Sequence, residues 1–334
     1  SWHKQKTERA EASESGSRKF PSWVLLGAEP RARKLSVTET RRVTTLINFL
    51  HLRESIMNRM KYLLPIALLF PSIAFAASLS VYPENPIQGE PIMITVKGTS
   101  NVKSISFDNQ KLGLFTWKSE SAALYGIDLY KKIGTYKVKA VLADGTLLEK
   151  DVAVGKREKV EAPLGIPQKL GGDTKASADK FVSTLGDENA TLLNLRTGDH
   201  TFWKENFLYP VTDPIVTDTY GYQRQTGGYS IAHKGTDFRA KEATPVMAMN
   251  RGVVRIAREG RNYGKTIVVD HGLGLMTFYM HLSKIYVNVG ELVLPKQVIG
   301  LSGQTGYAEK PHLHLTVRIK DVSIDPIKFM EFFK

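Results

Sequence analysis

The spacing of apolar runs constrains this chain most. From residue 77 onward, runs of alternating or continuous apolar residues are short and are separated by Gly, Asn, Asp and Pro. Such runs, recurring every ~8–12 residues between turn signals, are typical of strands and too short for most helices. The 27 Gly and 15 Pro residues fit a chain with many turns. The sequence therefore predicts a mainly β protein.

Residues 77–155 form the first predicted domain. Their strand-like runs include SLSVY, PIMITV, SISF and YKVKAVL, followed by the turn sequence ADG at 143–145. Short strands with regular turns predict a small antiparallel β-sandwich. The stretch KKIGTYKVKAVLADG resembles immunoglobulin-like modules of exported bacterial proteins, which implies a fold but no activity. We find no cluster of titratable residues here, so we expect a spacer or a module that positions substrate.

Residues 156–205 differ in composition from both neighbours. The sequence KREKVEAPLGIPQKLGG is charged and interrupted by Pro and Gly, which predicts a linker. Residues 174–185 can form one short amphipathic helix. The end of the segment, RTGDHTFWKENFLYPV, is again aromatic and apolar and predicts the entry into the next domain.

Residues 206–334 contain the strongest strand pattern. Predicted strands are TPVMAM at 244–249, GVVRIAR at 252–258, KTIVVD at 265–270, LMTFYMHL at 275–282, VIGLSG at 298–303 and HLHLTVRI at 312–319. The tripeptides Asn262-Tyr263-Gly264 and Asp270-His271-Gly272 predict hairpin turns. No helical period competes, so we expect an antiparallel sheet.

Residues 57–76 have the pattern of a secretory signal peptide. Arg59 and Lys61 precede a short apolar run, and Ala74 and Ala76 form an A-x-A cleavage pattern. The alternative is a transmembrane anchor, but the run is shorter than the ~20 residues that span a bilayer and contains two prolines. We therefore expect export, to the periplasm or beyond the cell, with no membrane span after cleavage.

Residues 1–56 precede a signal that needs a free N-terminus. We interpret them as an over-extended reading frame or an artefact, the alternative being a basic cytosolic extension. They carry +5 of the chain's formal net charge of +13, and the signal carries +2, which leaves +6 from Ala77 onward. That modest charge suits an enzyme acting on an anionic polymer such as a cell wall. No basic helix or aromatic-basic alternation points to nucleic acid.

Histidines are concentrated in the last predicted domain. Five of the chain's eight histidines lie between residues 233 and 314. His233 and Asp237 occur in HKGTDF, where Gly235 allows the backbone to turn so that an imidazole and a carboxylate converge. Nitrogen and oxygen ligands suit zinc, and the absence of cysteine excludes thiolate ligands.

The pair His312 and His314 adds a second element to this pattern. At i and i+2 of a strand, both rings project from one face of the sheet. One can bind the metal while the other faces a metal-bound water, and His281 in YMHL can approach from another wall of a groove. Three protein ligands leave zinc an open position, at which a water becomes acidic enough to attack a carbonyl near pH 7. The remaining imidazoles can move protons and stabilise an oxyanion.

Two other histidines fit structural roles. His271 in VVDHGLG is expected to shape a hairpin, and His200 lies outside the pattern. An HxxxD segment or an HxH segment alone is weak evidence for a metal site. Together, in this order and with YMHL between them, they are specific.

Residues 206–334 resemble the lysostaphin-type zinc metallopeptidases, which are peptidoglycan endopeptidases. The resemblance rests on YGYQR, HKGTDF, ATPVMAMNRGVV, YGKTIVVDHG, FYMHL, VNVGELV, QVIGLSGQTG, PHLHL and IDP. It implies one zinc ion per chain, held by His233, Asp237 and His314. It also implies that His281 and His312 are the catalytic histidines, which orient water and stabilise the transition state.

The chain departs from that family at two places. Residues 307–310, YAEK, stand before PHLH where relatives usually have small residues and a Gly. Thr316 stands where an acidic residue is usual. Neither change touches the predicted ligands, so we expect activity to persist and substrate preference to differ. Arg224 and Tyr279 are further candidates for groove contacts, or else scaffold residues.

The sequence thus predicts an exported zinc endopeptidase that hydrolyses peptide bonds in bacterial peptidoglycan through a zinc-activated water assisted by two histidines. The alternatives are a non-catalytic regulator of other cell-wall hydrolases and a peptidoglycan-binding protein in which the β-sandwich carries the function. The sequence names neither the cleaved bond nor the oligomeric state.

Overall fold

The computed structural model of the chain describes residues 76–333. Residues 1–56 and all but the last residue of the predicted signal peptide lie outside the described residues. Within the described range, no helix combines the length and the apolar character needed to cross a membrane. The architecture is mainly β with antiparallel sheets, as the sequence predicts.

The first part of the described chain is a sandwich of two four-stranded antiparallel sheets. One sheet has the order β1-β2-β6-β5 and the other β4-β3-β7-β8. The strands are β1 Ser78–Tyr82, β2 Pro91–Lys97, β3 Val102–Phe107, β4 Gln110–Lys111, β5 Leu114–Trp117, β6 Glu120–Gly126, β7 Gly134–Leu142 and β8 Leu147–Val154.

The two sheets enclose an apolar core supplied by alternate residues of each strand. Ile94, Ile105 and Phe107 are fully buried there, and Tyr125 stacks on Phe107 with ring centroids 4.2 Å apart. Period-two burial of this kind follows from the pleat of a strand, whose successive side chains point to opposite faces. The likeness to immunoglobulin-like modules stays a prediction.

Residues 156–205 carry more regular structure than a linker needs. They contain strand β9 (Glu161–Pro163), a 3-10 turn (Gln168–Leu170) and helix α1 (Lys175–Thr191). The helix begins where Thr174 Oγ1 accepts a hydrogen bond from the Ser177 amide, a standard N-cap. It continues six residues past the predicted end at 185, because its last turns make contacts to the next domain that the local sequence does not reveal.

The remaining strands build the second domain. They are β10 Val216–Asp218, β11 Gln223–Thr226, β12 Tyr229–Ala232, β13 Thr236–Arg239, β14 Pro245–Met247, β15 Gly252–Gly260, β16 Gly264–Asp270, β17 Leu275–Leu282, β18 Lys284–Ile285, β19 Leu292–Val293, β20 Val298–Leu301, β21 His312–Ile319 and β22 Val322–Ile324. The main sheet is antiparallel with the order β10-β13-β21-β17-β16-β15-β19, and β22 pairs with β21. Two three-stranded sheets flank it, β12-β11-β9 and β14-β20-β18.

Strand β21 shows how the sequence defines the two faces of the main sheet. Leu313, Leu315 and Val317 are fully buried on the core side. His312, His314, Thr316 and Arg318 alternate with them and therefore face the other side. One eight-residue strand thus serves both as core and as the floor of a site.

A short helix, followed by a 3-10 turn (Glu331–Phe333), lies near the end of the described chain although no helical pattern was predicted for this domain. Helix α2 (Pro326–Met330) begins at Asp325, whose carboxylate accepts hydrogen bonds from the amides of Ile327 and Lys328. Pro326 occupies the first helical position, where its missing N–H carries no penalty. Five residues are too few to show a period, so the capping residues are the only sequence signal.

The sandwich and the second domain share one apolar core. Phe115 and Trp117 of β5 pack edge-on against Trp203 and Phe333, at centroid distances of 5.3 and 5.1 Å. Arg157, in the segment between the domains, donates to the Gln88 carbonyl and forms an ion pair with Asp325 at 3.2 Å. The described part of the chain is therefore one continuous packed body.

Candidate metal centre and groove

Strand register brings two of the three predicted ligands, Asp237 and His314, together. In the pairing of β13 with β21, Asp237 lies directly opposite His314. Side chains of directly opposed residues share a face and have Cβ atoms ~4.5–5.5 Å apart. Asp237 Oδ1 and His314 Nδ1 are 2.8 Å apart.

His233 reaches the same point from the segment just before β13. Its Nε2 lies 3.2 Å from Asp237 Oδ1 and 3.1 Å from His314 Nδ1. Gly235 is needed between them for space: a Cβ there would collide with the His314 ring and the Leu315 carbonyl. Gly235 does not lie in the left-handed region, so the glycine permits a close approach rather than the unusual turn that the sequence suggested.

Hydrogen bonds on the outward nitrogens fix the form of both ligand imidazoles. His233 Nδ1–H donates to the Thr219 carbonyl at 2.9 Å, which leaves a lone pair on Nε2. Thr316 Oγ1 donates to the Lys234 carbonyl at 3.0 Å and therefore accepts from His314 Nε2–H, also at 3.0 Å. His314 is left with a lone pair on Nδ1. These tautomers are assigned from the hydrogen-bond network.

The donor set fits a divalent cation. Two imidazole lone pairs and a carboxylate oxygen converge within 4.8 Å of one another, and these groups repel unless a positive charge lies between them. Two nitrogens and one oxygen are ligands typical of zinc, and outward hydrogen bonds of this kind orient metal-binding histidines. His233, Asp237 and His314 can therefore hold the metal predicted from the sequence.

The pKa shifts of Asp237 and His314 agree with a metal site formed by these residues. Burial would raise the pKa of the Asp237 carboxyl, but the adjacent imidazoles of His233 and His314 outweigh burial and lower it well below its ordinary value. Burial is also the main reason that the pKa of His314 is lowered. These shifts favour an ionised Asp237 carboxylate and a neutral His314 imidazole, the forms of the two groups that bind metal.

His281 and His312 lie together beside the three ligands. Their ring centroids are 4.9 Å apart, and His312 Nε2 is 3.8 Å from Asp237 Oδ1. His281 Nδ1–H donates to the Thr305 carbonyl and His312 Nδ1–H to the Lys310 carbonyl, at 2.9 and 2.8 Å. Each ring therefore keeps a lone pair on Nε2.

The backbone of His281 is unusual. Its φ of 60° lies in the left-handed region, which few non-glycine residues adopt. His281 is the second-last residue of β17, at an irregularity in the pairing with β16, and its amide donates to the Tyr263 carbonyl. Burial lowers the pKa of His281 to about 3, with smaller contributions from His312 and His314, so the imidazole is neutral near pH 7.

These side chains line a groove with a volume of about 770 Å³. Strands β21 and β17 form its floor. Residues of β12, residues 163–165, α1 and residues 307–310 line it as well. Tyr130 of the sandwich also lines it.

Helix α1 is joined to residues 307–310 and to the turn between β15 and β16 by specific contacts. Phe181 stacks on Tyr307 with centroids 3.9 Å apart. The Glu188 carboxylate accepts hydrogen bonds from the amides of Asn262 and Tyr263, at 2.7 and 3.0 Å. The segment predicted as a linker therefore lines the groove.

The other candidate residues occupy different places. Tyr279 is fully buried in the core, where its hydroxyl accepts from the Met249 amide, so it is a scaffold residue. Arg224 lines the groove but is paired with Asp218. His271 is buried and donates from Nδ1 to the Arg251 carbonyl, while His200 is exposed.

Several residues of the site carry no local sequence signal. Thr219 and Thr305 contribute only backbone carbonyls to the histidines, and any residue type supplies a carbonyl. Thr316 was noticed only as a departure from the family pattern. The register of β21 would have placed it two residues from His314 on the same face.

A family model for "Peptidase family M23" matches residues 231–326, which include all five residues described above. Peptidoglycan DD-endopeptidase ShyA of Vibrio cholerae is 42% identical over 96 residues, covering 29% of this chain and 22% of the relative. Peptidoglycan DD-endopeptidase ShyB of the same organism is 34% identical over 169 residues, covering 47% and 39%. The chain thus spans less than half the length of these curated relatives.

One solved structure is similar over most of the described chain. It is the crystal structure of a candidate peptidase M23 from Pseudomonas aeruginosa, with a TM-score of 0.52 and 24% identity. The match covers 74% of this chain and 95% of that chain, and it supports the fold alone. On the family match and the identities within it, the chain carries a domain of peptidase family M23, the lysostaphin-type metallopeptidases.

Proposed function

We propose that this chain is an exported zinc endopeptidase that hydrolyses peptide bonds in bacterial peptidoglycan. The observation that carries the proposal is the convergence of His233, Asp237 and His314 on one point, with two further histidines beside it on the floor of a groove. The names of the Vibrio cholerae relatives support peptidoglycan as substrate. A DD-carboxypeptidase/endopeptidase of Neisseria meningitidis, 36% identical over 121 residues, supports it too.

The chain's own residues suit hydrolysis of an amide bond. A zinc ion held by the three ligands would supply a Lewis acid that polarises the scissile carbonyl and makes water acidic enough to attack near neutral pH. His281 and His312 each present an Nε2 lone pair and can take a proton from the attacking water. Once protonated, the same Nε2–H can donate to the developing oxyanion or to the leaving amine.

The rest of the groove orients the substrate. Its volume is within the usual range of ~300–1,000 Å³ for ligand sites. An extended peptide can lie along β21, with the carbonyl to be cleaved above His314. Residues of α1 and residues 307–310 line the groove and limit the side chains that fit.

Two alternatives make different predictions. A regulator of other wall hydrolases would need no intact catalytic set, yet His281 and His312 are both held by hydrogen bonds in a proton-accepting form. A protein that binds the cell wall through the sandwich would not need the metal centre for its function. Both alternatives predict that loss of His314 leaves the biological effect intact.

The test uses the purified full chain. We expect about one zinc per chain by mass spectrometry of the metal, and release of peptides from purified sacculi that stops on addition of a chelator. His314→Ala should abolish both zinc binding and peptide release, while His200→Ala, an exposed position outside the groove, should preserve both. Zinc-loaded protein that binds sacculi but releases no peptide from any sacculus type would overturn the proposal in favour of the binding protein.

Export is tested separately. Expression of the chain from Met57 in a bacterium should yield a product whose mature N-terminus, determined by sequencing, begins at Ala77. A full-length product retained in the cytoplasm would contradict the export proposal and leave the enzymatic proposal untouched.

A further inference from the structure

Arg318 is a charged residue of the groove that lies away from the predicted metal site. Arg318 lies on β21 four residues after His314 and on the same face. At a rise of ~3.3 Å per residue, the two positions are about 13 Å apart along the strand. The Arg318 side chain lines the same cavity as the metal ligands and is only 7% exposed.

The Arg318 guanidinium is held in place and forms no salt bridge among the described residues. Nε donates to Ser323 Oγ at 3.2 Å, Nη1 donates to the Leu192 carbonyl at 2.8 Å, and the group lies 4.5 Å from the centre of the Phe278 ring. Nη2 has no hydrogen-bond partner among residues 76–333. Nor does any carboxylate of that range lie within 4.0 Å of the guanidinium, since Asp321 nearby accepts from the Asn194 amide instead.

Three other partly buried arginines are paired with carboxylates, whereas the partly buried Arg261 forms no salt bridge among the described residues. Arg157 lies against Asp325, Arg224 against Asp218, and Arg255 against Asp270. A buried charge without a counter-ion is costly, so buried cations are nearly always paired. Arginine remains protonated in proteins, so Arg318 cannot avoid this cost by losing its proton. Arg318 lines the cavity, so an anion that enters the cavity would supply a partner for it.

We infer that Arg318 is a carboxylate-binding subsite of the groove, at which Nη2 donates to a free carboxylate of the substrate peptide. The inference rests on the proposed peptidase function for the identity of the ligand as a peptide. A separation of about 13 Å corresponds to about four residues of an extended chain. The carboxylate thus belongs to a residue several positions from the scissile bond, or to a chain terminus at that distance.

The test compares two substrates in the zinc-loaded full chain. Soluble cross-linked muropeptides are used either unmodified or with their carboxylates converted to carboxamides. We expect kcat/KM to be about 10- to 100-fold higher for the unmodified muropeptides, because a charge-assisted hydrogen bond is lost with the carboxamide. Arg318→Gln should reduce this preference to near unity, and Arg318→Lys should retain part of it.

The preference is a ratio measured on one protein sample, so it does not depend on how much of the variant is folded. A preference that persists in Arg318→Gln would overturn the inference, since the carboxylate would then be recognised elsewhere. If the wild-type chain cleaves neither muropeptide, the proposed function fails. The ratio of the two dissociation constants, measured by calorimetry, then still decides on Arg318.

Discussion

The two domains of this molecule are both antiparallel β structures, yet they bury very different residues. Within the sandwich, residues 78–154, Glu90 is the single buried polar or charged side chain. The second domain buries histidines, threonines, aspartates and an arginine, many of them around one groove. Since an unpaired buried polar group is destabilising, polar burial on this scale indicates groups held for chemistry or for its support. The sandwich, by contrast, is organised around packing alone.

The largest effect that would sharpen this contrast concerns His281. We expect His281→Asn to lower kcat by about 10²- to 10⁴-fold, the usual contribution of a general acid–base residue. Asn is chosen because it tolerates the left-handed backbone found at this position. Peptide release and bound zinc are measured together. Full activity with normal zinc content would show that His281 supports the fold and does not act on substrate.

The next effect concerns the buried His271 and acts on stability rather than rate. Burial lowers the pKa of His271 to about 4, against 6.5 for an ordinary histidine. The unfolded chain therefore binds more protons between these values, so the free energy of unfolding falls as pH drops from about 6.5 to about 4. The shift corresponds to about 3 kcal/mol, fully present above pH 6.5.

Denaturant unfolding of metal-free protein across this pH window measures the effect. His271→Gln, which keeps an N–H donor for the Arg251 carbonyl, is the matched variant. Its stability should vary less steeply with pH than that of the wild type. Parallel pH profiles for the two proteins would mean that His271 is accessible to protons in the folded state.

A smaller effect is expected at Thr316, which holds one of the predicted ligand imidazoles. Its hydroxyl holds His314 Nε2–H, and removing a partner of this kind typically weakens metal binding about 10- to 100-fold. Thr316→Val, of nearly the same shape, should show that loss in a zinc competition titration, and Thr316→Ser should restore most of the affinity. Equal weakening by Val and Ser would indicate a packing effect in place of the hydrogen bond.

The smallest expected effect is a loss of stability caused by a substitution in the core of the sandwich. Ile94→Val removes one methylene from the fully buried core and should reduce the free energy of unfolding by about 0.5–1.5 kcal/mol. We expect kcat/KM of the folded variant to be unchanged, because no side chain of that core reaches the groove. A loss of kcat/KM would break the contrast between the domains and would show that sandwich packing controls the site.

Much of the fold was predictable because strand alternation is a local property. Strands β17 and β21 begin and end where the sequence predicts, at Leu275–Leu282 and His312–Ile319. Their repeating apolar residues specify the core face, and the polar residues between them specify the other face. The same pattern identified His312 and His314 as neighbours on one side of a sheet.

The parts that were not predictable depend on long-range contacts. Helix α1 continues to Thr191 because Glu188 meets the amides of Asn262 and Tyr263, more than seventy residues away. In the sequence, Arg318 belongs to an ordinary strand pattern that also contains His314. Only the folded groove shows that, among the described residues, it has no carboxylate within salt-bridge distance. Local propensity carries no information on either point.

The left-handed backbone of His281 has a consequence for how this domain can change over evolutionary time. A lineage that gave up catalysis would no longer select the imidazole, but the fold would still require a residue that accepts positive φ one position before the end of β17. Gly, Asn and Asp meet that requirement, whereas Val and Ile do not. We therefore expect inactive descendants of such a domain to carry one of these three residues at this position, because the backbone conformation outlasts the catalytic role.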